Sequence, residues 1–73
     1  MDPNETMRLL RQAVKNLDFD KAVEYAEYLV EWLEKGGFAP EPPTLTIPAS
    51  WTRTWLRTAA DVINHQIEKG TAE

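Results

Sequence analysis

Between Phe19 and Lys35 the strongly polar side chains fall on one narrow stripe, Asp20, Glu24, Glu27, Glu31 and Glu34, at spacings that alternate between four and three. Nearly all the rest is apolar: Phe19, Ala22, Val23, Tyr25, Ala26, Tyr28, Leu29, Val30, Trp32 and Leu33. A helix flanking a single core needs an apolar arc of only about 100 degrees, so one this widely apolar has to be covered from more than one side. The pattern predicts the central helix of a small bundle.

Ahead of it, Asp2, Pro3, Asn4 and Glu5 combine a side-chain cap, a proline where its missing N–H does no harm, and an acid three residues after the cap. A first helix is expected over 3–17. Met7, Leu10, Ala13, Val14 and Leu17 form its apolar face, with Leu9 at the margin and Arg8, Arg11, Gln12, Lys15 and Asn16 turned outward. Asp18 caps the second helix, expected over 19–35, and so short a connection sets the pair antiparallel. Gly36 and Gly37 end that helix, with Phe38 placed to fold back on its last turn. A phosphate loop is the weaker reading, because its donors belong at the start of a helix and these glycines follow one.

Residues 39–49 hold Pro40, Pro42, Pro43 and Pro48 and cannot be helical. Extended, this linker spans about 34 Å, enough to carry the chain along the hairpin in either direction. Thr44, Leu45, Thr46 and Ile47 alternate, so Leu45 and Ile47 point the same way. They either pin the linker onto the hairpin or form a short strand for pairing with a partner. A third helix is expected over 50–69, capped by Ser50 and closed by Gly70. Leu56, Ala59, Ala60, Ile63 and Ile67 form its apolar stripe, widened by Trp51, Trp55 and Val62. The expected fold is all-α: an antiparallel helical hairpin plus a third helix after a Pro-rich extended linker, in one domain over 1–73.

Composition narrows the chemistry. The 73 residues contain no Cys and one His, which removes disulfides, zinc ribbons and thiol nucleophiles. His65 has Asp61 and Glu68 within one helical face, too few ligands for a structural or catalytic zinc. Ser50 is explained as a cap. No catalytic residue, cofactor site or metal site is assigned, and the reading is non-enzymatic. No run approaches the roughly 20 apolar residues of a membrane span and no signal peptide is evident, so a cytoplasmic protein is expected. Twelve acidic against eight basic side chains leave a net charge of −4, which disfavours direct binding to nucleic acid or anionic lipid.

Two resemblances can be read. Leu17 to Leu33, with Asp18, Phe19, Asp20, Lys21, Ala22, Val23, Glu24 and Tyr25, resembles the turn and second helix of a tetratricopeptide repeat, with no second copy in the chain. The opening Asp2, Pro3, Asn4 and the stretch Trp32, Leu33, Lys35, Gly36, Gly37, Phe38 and Pro40 are similar to small helical proteins of actinobacteria and their phages. That resemblance implies a short stand-alone reading frame and brings no activity with it.

The functional expectation is a small protein-interaction module, binding a protein partner or itself as a homodimer. Trp51 and Trp55 are the candidate anchors, and any of Tyr25, Tyr28 and Trp32 left uncovered would add to the surface. Core packing is the competing role for the tryptophans, with Trp32 as an edge-to-face partner. The alternative function is a phage- or bacteria-encoded regulator of a nucleic-acid-associated complex, presenting Arg53 and Arg57 with Arg8, Arg11 and Lys15 as a basic face.

Overall fold

The computed structural model describes residues 2–51 and 55–71. Three helices, α1 (Pro3–Lys15), α2 (Phe19–Glu34) and α3 (Trp55–Thr71), are joined by a short turn and by a long strap that ends in one 3-10 turn, Ala49–Trp51. The architecture is the expected all-α three-helix arrangement, and α2 packs against both α1 and α3. The radius of gyration is 11.2 Å, close to the roughly 11 Å of a compact chain of this length.

α1 starts as its sequence dictates. The Asp2 carboxylate accepts the Asn4 N–H at 2.8 Å, and Pro3 takes the first helical position. Glu5 pairs with Arg8 at 2.7 Å. The buried face is Pro3, Thr6, Met7, Leu10, Ala13 and Val14. Thr6 is polar yet wholly buried, and its hydroxyl donates to the Asp2 carbonyl at 3.0 Å.

The expected face of α1 is cut short at its end. The helix stops at Lys15, and Leu17 turns away from the core into solvent, 67% exposed, with φ at 57°. The Leu17 N–H reaches the Val14 carbonyl at 3.0 Å and the Asp18 N–H reaches the Ala13 carbonyl at 2.8 Å. This is the left-handed helix stop that glycine usually supplies. α2 ends the same way with the expected residues: Gly36, at φ 85°, bonds Leu33, and Gly37 bonds Trp32.

The five acids of the α2 stripe are all exposed, while Ala22, Ala26 and Leu29 are buried. Small side chains one turn apart let neighbouring elements close on α2. The core is completed by Leu45 from the strap and by Leu56, Ala59, Ala60, Ile63 and Ile67 of α3.

The strap decides the topology. The Glu41 N–H donates to the Asn4 side chain at 2.7 Å. Arg11 donates to the carbonyls of Glu41 and Pro43. Leu45 then reaches the level of Val14 and Lys15. Successive strap residues thus meet successive α1 residues, and the chain returns to the start of α2, where Trp51 packs edge-on to Phe19 at 5.4 Å. Leu45 is buried and Ile47 packs against the core, so this pair pins the strap as one of the two expectations had it. The described residues contain no strand.

The third helix departs from its expected bounds. Ser50 lies within the 3-10 turn instead of capping α3, α3 starts at Trp55, and Gly70 falls inside the helix instead of closing it.

Candidate interaction surface

Among the described residues, two surfaces carrying exposed or half-buried apolar side chains are candidates. The first is made of the exposed apolar groups of the α1–α2 turn and of α3. Leu17 is 67% exposed, Phe19 39% and Trp55 48%, with Val62 at 40% two turns further along α3. Trp51 is half-buried: part of it packs against the core and its ring meets Phe19 at 89°. The two candidate anchors therefore divide. Trp51 tethers the end of the strap, and Trp55 is the one that faces solvent.

The second surface is the outer face of α2. Tyr25, Tyr28 and Trp32 are each half-buried, at the three and four spacing of one helical stripe. Beside them Glu24, Glu27 and Glu31 form a parallel acidic stripe. Together they line two adjoining shallow grooves, one with Tyr28, Glu31, Trp32 and Lys35 and one with Glu24, Tyr25, Glu27, Tyr28 and Glu31. Glu24 pairs with Lys21 at 3.9 Å and Glu31 with Lys35 at 3.4 Å. Both pairs are solvated and contribute between 0 and about 1 kcal/mol each.

The edge-to-face partner of Trp32 is Phe38, in place of the tryptophan partner expected from sequence. Its indole N–H donates to the Phe38 carbonyl at 2.8 Å, and the two rings meet edge-to-face at 5.5 Å. Gly37 makes this clasp possible, because a Cβ there would lie inside contact distance of the indole.

Of the basic residues expected to form a nucleic-acid face, Arg8 and Arg11 are engaged within the chain. Arg8 is held by Glu5, and Arg11 is turned onto the strap carbonyls. The Arg11 Nε is buried without a hydrogen-bond partner. Burial lowers the Arg11 pKa from its ordinary value, and a guanidinium remains cationic at neutral pH. Lys15 and Arg57 are exposed. Arg53 lies outside the described residues.

His65, Asp61 and Glu68 are exposed on α3. Among the described residues no group of three His, Asp or Glu side chains is placed to hold a metal ion. No helix among them is long and apolar enough to cross a membrane.

Sequence reasoning missed Asn64. Its side chain takes the Leu45 N–H at 2.6 Å and gives its own N–H to the Leu45 carbonyl at 2.7 Å. The available signal was an uncharged amide inside a helix, where asparagine is otherwise unfavourable. Comparison with protein-family models, with curated proteins and with solved structures yields no match to this chain.

Proposed function

We propose that this chain is a small non-enzymatic protein-interaction module that associates with a second copy through the face around the α1–α2 turn and the start of α3. The observation that carries the reading is the exposure of Leu17 at 67% in a left-handed conformation. That conformation costs a non-glycine residue about 1–2 kcal/mol, and the leucine side chain stays mostly in water within its own chain. Strain held at an exposed apolar residue is the pattern of a binding surface.

Phe19, whose ring meets Trp51 edge-on, and Trp55 at the start of α3 are the further exposed apolar groups assigned to this interface. Trp55 has the size and amphipathic ring that dominate interface energetics. A dimer would withdraw these groups from water together.

Solution mass by light scattering or sedimentation across a concentration series, with tryptophan emission recorded on the same samples, tests the reading. The expected result is a rise from one chain to two with a blue shift in emission, and at least a tenfold weaker dimer for Trp55→Ala. A mass of one chain throughout, with unchanged emission, overturns it.

A further inference from the structure

The outer face of α2 lies apart from the apolar face assigned to self-association and has a different chemistry. Its floor is aromatic, formed by Tyr25, Tyr28 and Trp32, and its rim is acidic, formed by Glu24, Glu27 and Glu31. Seven residues separate Tyr25 from Trp32, which at about 1.5 Å per residue makes the floor about 10 Å long. That length matches two turns of an opposing helix.

We infer that this face docks a basic amphipathic helix from another protein, its apolar stripe laid on the tyrosine and tryptophan rings and its flanking Lys or Arg residues set against the glutamates. Charge complementarity selects this occupant. The rim carries three carboxylates, of which two make only loose, solvated pairs with Lys21 and Lys35. A cation brought over a tyrosine or tryptophan ring gains further from the ring quadrupole. An acidic or phosphate-bearing partner would meet the same carboxylates as repulsion. A second copy of this chain lacks the complementary helix: its own basic segment, α1, has its apolar side buried in the core, with Arg11 turned onto the strap carbonyls.

The test uses two synthetic helical peptides that share one apolar stripe, one flanked by Lys and Arg and the other by Glu. Each is titrated into the isotopically labelled protein and followed by amide and indole resonances. The basic peptide is expected to saturate and to shift the Tyr25–Trp32 amides and the Trp32 indole signal, with the glutamate-flanked peptide at least about tenfold weaker. Raising salt from about 0.05 to 0.3 M should weaken the basic peptide several-fold. Replacing Glu24, Glu27 and Glu31 together by Gln should do the same, while Asp61→Asn on α3 should not. Circular dichroism verifies that each variant is folded.

Equal binding of both peptides, absence of saturation, or shifts confined to the Leu17 and Trp55 region would overturn the assignment. So would an unchanged affinity in the triple Gln variant. The mass measurement on the protein alone reads the other face, so either proposal can fail without the other.

Discussion

The Asn64 side chain grips Leu45 by both of its backbone polar groups, accepting from the N–H at 2.6 Å and donating to the carbonyl at 2.7 Å. An amide from a helix thus does for the strap what a neighbouring strand would do. It lets a residue without a ladder partner bury its side chain in the core, where Leu45 is 4% exposed. The same bonds occupy the backbone groups that pairing with an added strand would need at this residue.

Removing the grip should be costly. Asn64→Ala leaves two partly buried backbone groups unpaired, and a loss of about 2–4 kcal/mol in urea denaturation is expected. In a domain of this size the surplus is about 3–5 kcal/mol, so the variant should be at the edge of folding. Asn64→Asp separates the two bonds: a protonated carboxyl can make both, whereas an ionised one sets an oxygen against the Leu45 carbonyl. Its deficit relative to the parent should therefore grow as pH rises from about 4 to 7.

Arg11 also holds the strap, through the carbonyls of Glu41 and Pro43, but those bonds are exposed. Water can replace the lost donor, and the substitution also removes a buried Nε with no partner. Arg11→Met should change stability by less than about 1.5 kcal/mol. A loss as large as that of Asn64→Ala would mean that the first half of the strap is as important as the second.

The two consecutive glycines should respond differently. Gly36→Ala meets no neighbouring atom but must adopt φ 85°, at about 1–2 kcal/mol. Gly37→Ala displaces the Trp32 indole and with it the bond to Phe38. Thermal unfolding should show a loss of about 1–3 kcal/mol for Gly37→Ala, accompanied by a changed Trp emission that Gly36→Ala lacks. The emission change is the diagnostic readout.

Leu17→Gly should act in opposite directions on folding and association. Relief of the left-handed strain, less the added freedom of the unfolded chain, predicts a gain of about 0.5–1 kcal/mol in chemical denaturation. Dimer formation should weaken in the same variant. A stability gain with undiminished association would remove Leu17 from the interface.

Much of the fold is legible in the chain because helices are specified locally. The Asp2 and Asp18 caps, the acidic stripe of α2 and the Gly36 and Gly37 stop all act within a few residues of themselves. Alternation put Leu45 and Ile47 on one side of the linker and left core and strand pairing both open; the structure places them against the core. Leu17 misleads: it continues the spacing of Met7, Leu10 and Val14, yet the backbone reverses before it. Nothing in periodicity distinguishes the last residue of a helical face from the first residue of a turn.

The aromatic side chains lie at the opposite extreme. Tyr25, Tyr28, Trp32, Trp51 and Trp55 all belong to widely apolar segments, and local pattern cannot say which of them the other helices reach. By itself the sequence determined three helices, an antiparallel hairpin, a central α2 and a non-helical proline segment, since these follow from caps, breakers and a 3.6-residue period. Tertiary structure alone decided that the strap runs back along α1, that Asn64 holds it, and that Trp55 faces water while Trp51 supports Phe19. Those outcomes depend on which surfaces meet across 19 or more residues of chain, and such meetings are set by how the whole volume fills.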